Sequence, residues 1–380
     1  MKPILPGRTI GILGSGQLGR MFALEAKRMG YFVHTFSPEK NSPAGQVADE
    51  EFIGKYDDAA AATKFARGVD VVTFEFENIT KDVVKKIEKI VTVHPNSYVL
   101  STTQHRHREK IFLQDNKFPL TPFEKIGSRE ELHEAIKRIG TPAVLKTAGF
   151  GYDGKGQTKI KNADQADAAY DAIGGKEAIL EAFVDFQCEV SVVAARGQDG
   201  SFAAYDVVEN QHSKHILDTT ISPATISSEL QTKAVEITRN VMERLDCIGV
   251  LCVEMFVTKN GELLINELAP RPHNSGHWTI DTCVTNQFEQ QVRAICGLPL
   301  GSTERLAPFA AMVNLLGDIW QGGEPNWVEA LLNPKVKLHL YGKHEARIGR
   351  KMGHVNVTGN SAEEVAASVA RVKKIFGISK

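Results

Sequence analysis

Net charge is almost absent from this chain. Its 45 Lys and Arg against 46 Asp and Glu leave −1, which removes the global attraction to nucleic acid or anionic membranes that a strongly basic protein has. Any recognition through charge must therefore be local. No apolar run reaches the about 18 residues of a membrane helix, and no N-terminal segment has a signal peptide's apolar core. The expected setting is the cytoplasm, with neither membrane nor nucleic acid as partner. Cysteine is sparse as well. Cys188, Cys247, Cys252, Cys283 and Cys296 form no CxxC pair, as expected of packed thiols in a reducing compartment rather than a disulfide framework. Internal repeats and low-complexity linkers are missing, so the parts of the chain are expected to dock tightly.

What is present suits two or three sub-domains of roughly 100–200 residues each. The spacing predicts a strand over Thr9–Leu13, a helix over Leu18–Met29 stopped by Gly30, and a strand over Tyr31–Phe36, together a βαβ unit. Apolar Val69–Phe74 predicts a third strand. A helix over Lys81–Ile90 and a strand over Val91–His94 would close an open parallel sheet near residue 100. A basic helix over Gln104–Asn116 opens a new region. From Ala143 the pattern becomes short strands with tight turns: Ala143–Thr147, Gln157–Ile160, Ile179–Phe183, Glu189–Ala195 and Phe202–Val208. A helix over Asp164–Ile173 interrupts them, so this is an α+β module. A long helix over Ser228–Asp246 leads into a hairpin over Val250–Leu268. Strands near Ala311–Leu315 and Val336–Tyr341 and a helix over Ala362–Phe376 suit a small closing unit.

Five groups of residues point to chemistry. Gly14-Ser15-Gly16-Gln17-Leu18-Gly19 is a GxGxxG between strand and helix, where bare amides and a helix N-terminus favour an anion. A phosphate or phosphorylated substrate is the leading expectation, with a purely structural turn left open. A dinucleotide fits less well, because the second strand runs into Ser37 and Pro38 with Glu39 only beyond. Gly149 to Gln157 carries four glycines in eight positions, with Lys155 inside it and Lys146 on the preceding strand, a pattern that cradles phosphates. It nearly spells a P-loop, but Gly156 stands where Ser or Thr would bind magnesium and a strand follows instead of a helix. The expected object is a flap between strands, or else an ordinary glycine-rich hairpin.

Third, Asn260-Gly261 predicts a two-residue turn in which Lys259 faces Glu262. Counting back places Glu254 opposite Glu267. Opposed carboxylates destabilise a sheet, and a magnesium ion carrying ATP phosphates would compensate them; a water-separated surface pair is the alternative. A slip of one residue would undo the pairing. Fourth, the polar run Asn266 to His277 follows from that strand: Arg271 suits an oxyanion, and His273 and Asn274 suit a small polar substrate. Fifth, Lys343, Arg347, Arg350 and Lys351 form a basic cluster that is either a solvated surface or a phosphate site. Arg106, Arg108 and Lys110 are equally undecided between a plain helix face and phosphate contacts.

In this order, GxGQLGR, FEFEN, GYDGKGQ, NELAPRPHNSGH and YGK followed by RKMGH resemble the ATP-grasp enzymes of purine biosynthesis, most closely the 5-(carboxyamino)imidazole ribonucleotide synthases, from about Thr9 to about Gly353. The resemblance implies a Rossmann-like pre-ATP-grasp domain over 1–100, an ATP-grasp domain over 101–300 with a mobile lid at about 122–184, and a C-terminal α+β sub-domain over 301–380. It assigns ATP to Arg106, Lys146, Gly151, Tyr152, Asp153, Gly154, Lys155, Gly156, Gln157, Glu181, Ala182, Phe183, Val184, Glu189, His212, Asn266 and Glu267. Magnesium, or manganese in its place, falls to Glu254 and Glu267. The ribonucleotide falls to Gln17, Leu18, Glu75, Tyr152, Asp153, Lys343, Arg350 and Lys351. Arg271, His273 and Asn274 would face bicarbonate and, with Lys146 and Asp153, form the catalytic set. Phe150 replaces a usual glycine, and His105-Arg106-His107-Arg108 leaves open which arginine meets ATP.

The implied reaction is ATP-dependent carboxylation of aminoimidazole ribonucleotide by bicarbonate through carboxyphosphate, in a homodimer. The alternatives are a formate-dependent glycinamide ribonucleotide transformylase, disfavoured by Tyr152, Asp153 and Gln17, and an inactive nucleotide-binding module, disfavoured by intact Lys146, Glu254, Glu267 and Arg271. A dehydrogenase on the N-terminal sheet is the remaining one.

Overall fold

The computed structural model describes residues 2–149 and 156–378. The expected βαβ unit forms from β1 (Thr9–Leu13), α1 (Gln17–Arg28) and β2 (Phe32–Ser37). With β3 (Glu50–Ile53), α2 (Ala59–Ala66), β4 (Val71–Phe74), α3 (Lys81–Glu88) and α4 (Ser97–Thr103) it builds a sheet of order β3-β2-β1-β4, parallel throughout. Its inner strands are apolar on both faces because helices cover both: Ile10 and Ile12 pack with Phe22 and Ala26, and Leu13 and Val72 with Phe65 and Val84. Two expectations fail at the edges. Val91–His94 makes one bridge, Val72 to Val93, and no strand; Pro95 follows and has no amide to extend the ladder. The fourth strand is Glu50–Ile53 instead, whose partly exposed, acidic character hid it among loops.

Helix α5 (Arg106–Asp115) leads to a second sheet made of β5 (Phe123–Ile126), β6 (Ala143–Thr147), β7 (Gln157–Ile160) and β8 (Ala178–Ala182), in the order β5-β8-β6-β7. Helices α6 (Arg129–Ile139) and α7 (Ala166–Ala172) cover one face. Sequence reading overlooked α6, although Ser128 caps it through the Glu131 amide and Leu132, Ala135 and Ile136 form its buried stripe. This sheet keeps its own core, distinct from that of its neighbours.

The third sheet is the largest. Strands β9 (Phe186–Arg196), β10 (Phe202–Ala204), β11 (Val208–Ser213), β12 (Ile216–Ser222), β13 (Gly249–Thr258), β14 (Leu263–Ala269), β15 (Phe309–Leu316), β16 (Val336–Leu340) and β17 (Lys351–Gly359) run in the order β14-β13-β9-β11-β12-β15-β17-β16, with β10 on β9. Helix α8 (Ser228–Leu245) packs on one face of β9 and β13, helices α9 (Thr279–Thr282) and α10 (Gln287–Ile295) join it to the N-terminal unit, and α11 (Trp327–Leu331) and α12 (Ala362–Ile375) cover its far end. The single strand expected over Phe202–Val208 is two, separated at Asp206, which pairs with Arg305. The C-terminal strands extend this sheet through β12 and β15. The strand β17 is hidden in the sequence because Lys351, its first residue, reads as part of the basic cluster.

Candidate active site

Strand β9 shows how the large sheet makes a site. Val190, Val192 and Ala194 alternate into the core under α8, so Glu189 and Ser191 face the other way. Glu254 lies directly opposite Ser191 in the ladder, and Glu267 lies directly opposite Glu254, which puts two carboxylates on one face.

That pairing comes about differently from the expected count. Val257 pairs with Leu263, the Gly261 amide donates to the Thr258 carbonyl, and Gly261 sits at φ +76. The connection is therefore a three-residue turn, Lys259 to Gly261, with glycine in the left-handed position, which alone would slip the register by one. A β-bulge at Asn266 takes up the slip, since Met255 faces Ile265 while Glu254 faces Glu267.

The bulge also frees backbone. Lys110, only 1% exposed, sends its ammonium to the Ile265 and Asn266 carbonyls at 3.4 and 3.1 Å and lies 2.8 Å from Glu181. The other Glu181 oxygen is 2.5 Å from the Lys146 ammonium, which also reaches the Asn266 side chain at 3.4 Å. Burial opposes the charge of Glu181, but the two lysines outweigh it and hold the carboxyl near 2. Behind β14, Glu109 accepts the Leu268 amide at 3.1 Å. Burial, then the charge of Glu267, pushes it up to about 8. Neither Glu109 nor the placement of Lys110 was foreseen, because a buried charge in a polar helix leaves no periodic signal.

These elements surround a cavity of about 680 Å³. Gln17, Leu18 and Glu75 line it from the N-terminal unit, Lys146, Gln157, Glu181, Ala182, Phe183 and Val184 from the second sheet, and Arg106, Glu189, His212, Glu254, Asn266, Glu267, Arg271, His273, Asn274 and Lys351 complete it. Part of its wall is apolar, contributed by Val144, Phe183, Phe186, Leu217 and Phe256, with the rings of Phe186 and Phe256 stacked at 4.8 Å and the Lys159 ammonium over the Phe183 ring. His212 is 2.9 Å from Glu189; burial works against its charge, and the bond to Glu189 prevails, so it titrates above an ordinary histidine. Arg106 reaches Glu267 at 3.8 Å, whereas Arg108 turns away to the Ser101 carbonyl at 2.6 Å. The guanidinium of Arg271 is 2.7 Å from Glu77, a partner unforeseen although it sits in FEFEN. Asn274 is 9% exposed, and both of its side-chain amide atoms lack a partner among the described residues.

Lys343 and Arg350 are outside the cavity wall. Lys343 donates to the Lys351 carbonyl at 2.6 Å, and Arg350 to that of Glu345 at 3.0 Å. Burial, then the charge of Arg350, brings the Lys343 ammonium down to about 8. Gly156 sits at φ +72, its carbonyl accepting the Thr147 amide. Gly151, Tyr152, Asp153, Gly154 and Lys155 lie outside the described residues.

The GxGxxG loop differs from the leading expectation. Its Gly16 and Gly19 amides donate to the Glu75 carboxylate, the second at 2.8 Å. A Cβ on Gly14 would come 2.4 Å from the Glu75 side chain and one on Gly16 2.8 Å. The chain supplies its own anion to the helix end, and the glycines exist to let it approach.

The comparisons follow this division. Residues 7–104 match the ribonucleotide synthetase preATP-grasp domain, 111–288 the ATP-grasp domain, and 310–368 the phosphoribosylaminoimidazole carboxylase C-terminal domain. The N5-carboxyaminoimidazole ribonucleotide synthase of Bacillus subtilis is 44% identical over 363 residues, 95% of this chain and 94% of that protein. The chain belongs to the N5-carboxyaminoimidazole ribonucleotide synthase family. Among solved members of the synthase family, the Staphylococcus aureus enzyme complexed with ADP superposes with a TM-score of 0.93 at 34% identity, covering 99% of both chains. The Aspergillus clavatus synthase in complex with ADP and 5-aminoimidazole ribonucleotide gives 0.88 at 28% identity, covering 97% of this chain and 98% of that one.

For a magnesium ion, the site offers Glu254 and Glu267, oxygen donors forced together by the ladder. Burial and then the charge of Glu267 raise the Glu254 carboxyl above its ordinary value, as a carboxylate pair without a cation requires. The donor set fits a hard divalent ion completed by phosphate oxygens.

Proposed function

We propose that the chain carboxylates 5-aminoimidazole ribonucleotide with bicarbonate at the expense of ATP, giving N5-carboxyaminoimidazole ribonucleotide, ADP and phosphate. The observation that carries this reading is the Asn274 amide. A donor and an acceptor are buried without partners among the described residues, beside Arg271 and His273, and such groups cost about 1–3 kcal/mol each unless a ligand pairs with them. Bicarbonate, small and bearing both acceptors and a donor, suits them.

ATP is proposed to lie with its base against the apolar wall near Phe183 and Val184, its ribose at Glu189 and its phosphates toward Lys146, Arg106 and Gln157, with Gly151 to Gly156 proposed to contact them as well. Glu254 and Glu267 would hold magnesium, or manganese, which when bound neutralises phosphate charge. A bicarbonate oxygen attacks the γ-phosphorus and the bond to ADP breaks, giving carboxyphosphate, with Lys146 meeting the charge that develops. Arg271 and Asn274 hold the carboxyl group. The exocyclic amine of the ribonucleotide then bonds to the carboxyl carbon as the bond to phosphate breaks, and the amine proton leaves with the phosphate. Closure of the second sheet over the cavity, with Tyr152 and Asp153, excludes the water that would hydrolyse carboxyphosphate. Gln17, Leu18, Glu75, Lys343, Arg350 and Lys351 are proposed to bind the ribonucleotide. The enzyme is proposed to act in the cytoplasm as a homodimer.

The test is ADP release with aminoimidazole ribonucleotide plus bicarbonate, run beside glycinamide ribonucleotide plus formate. Turnover is expected with the first pair alone; turnover only with the second sinks the proposal.

A further inference from the structure

Beneath the cavity floor runs a line of hydrogen bonds in which the chemistry of each group dictates the direction. Thr220 on β12 donates its hydroxyl to the Asn210 side-chain oxygen on β11 at 2.9 Å. The Asn210 amide donates to the Ser191 hydroxyl on β9 at 2.9 Å. Ser191 and Ser275 hydroxyls are 2.8 Å apart, and Ser275 is 2.9 Å from Nδ1 of His273. All four residues before His273 are buried, between 0% and 6% exposed, so water does not complete these bonds.

The direction is settled at the histidine end. At the Thr220 end, an amide oxygen only accepts and an amide nitrogen only donates, so Asn210 donates to the Ser191 oxygen; beyond Ser191 the direction follows from His273. At the histidine end, the backbone amide of Ser275 also points at Nδ1, at 3.3 Å, and a backbone N–H only donates. Nδ1 therefore carries no proton, and the Ser275 hydroxyl donates to it. A neutral ring with a bare Nδ1 bears its proton on Nε2, and that nitrogen stands 3.3 Å from Glu254 at the cavity.

We infer that Thr220, Asn210, Ser191 and Ser275 form a relay of positioning residues that locks His273 as the Nε2–H tautomer, making it a hydrogen-bond donor to the carboxyl oxygens in the cavity and not the base that takes the amine proton. The inference rests on the carboxylation reading for the identity of the ligand, but the tautomer follows from the fold alone. It also explains why three polar side chains occupy the inner strands of a large sheet, where apolar residues would pack with less desolvation cost.

The decisive measurement needs no substrate. In enzyme labelled with 15N-histidine, the His273 signal, assigned by its loss in His273→Gln, is expected to show an unprotonated Nδ1 and a protonated Nε2. The opposite tautomer, or an even mixture of the two, overturns the relay. Ser275→Ala is expected to mix the tautomers and lower kcat about tenfold, the equivalent of one hydrogen bond, with the KM for ATP unchanged. An unaltered tautomer and kcat in that variant also overturns it. His273→Gln, which keeps a donor but is no base, is expected to retain more activity than His273→Ala; equal loss in both argues for a base and against the inference. If the enzyme does not carboxylate aminoimidazole ribonucleotide, the carboxylation reading fails while the tautomer is still read. If it does and the tautomer is reversed, only the relay fails.

Discussion

Lys343 gives the sharpest residue-scale prediction. Its ammonium, brought down to about 8 by burial and by Arg350, is charged below that pH and neutral above it. For the proposed phosphate contact, kcat/KM for the ribonucleotide is expected to fall as pH rises through about 8, while kcat/KM for ATP does not follow. A ribonucleotide profile flat between pH 7 and 9 removes the assignment. Lys343→Ala is expected to raise the ribonucleotide KM far more than that for ATP, in steady-state kinetics. Lys110 is predicted to matter for stability. Replacing it by Met leaves two carbonyls and one Glu181 oxygen without their donor, at a cost of about 3 kcal/mol, the range for breaking a buried ion pair; chemical denaturation measures it. Residues that face the cavity were legible because phosphate and carboxyl chemistry leaves few residue types to choose from. Lys110, Glu109 and Glu77 were not, because a buried charge is recognisable only once its partner, here about 70 to 190 positions away in sequence, is in place.

At the scale of elements, the hairpin β13–β14 shows a correct conclusion reached through an incorrect turn. The Asn260-Gly261 signal marked the connection, and the burial on both strands marked the ladder. Neither one distinguishes a two-residue from a three-residue turn, and a bulge leaves no pattern in a strand this apolar. Deleting Asn266 is expected to remove the bulge and still leave Glu267 opposite Glu254, because Met255 keeps its pairing with Ile265, while the Asn266 contacts to Lys110 and Lys146 are lost. ATP turnover should fall while circular dichroism stays that of a folded protein; unaltered turnover would show that the Lys146–Asn266 contact is dispensable. The glycine loop of α1 taught the opposite lesson. Strand, loop and helix were read correctly, but Glu75, about 60 positions on, fills the amides that a phosphate was expected to fill. Gly16→Ala, which brings a Cβ within 2.8 Å of that carboxylate, is expected to raise the ribonucleotide KM and leave that for ATP alone.

For the whole molecule, the order of the parts was evident from the sequence, and how they connect was not. Period-2 alternation reveals a strand but not the neighbour it chooses, so the joining of the C-terminal strands to the large sheet through β12 and β15 became visible only in three dimensions. The N-terminal unit is tied to that body at the site itself, where Arg271 meets Glu77, and away from it, where Arg28 and Glu25 of α1 meet Glu289 and Asn286 at α10. The hairpin adds a rule of inheritance. Thr258 meets Glu262 across the turn and Glu254 meets Glu267 across the bulge, so a residue lost from the turn leaves the carboxylates facing one another. Turn length is therefore free to drift between lineages, whereas a residue gained in either strand has to be absorbed by a bulge.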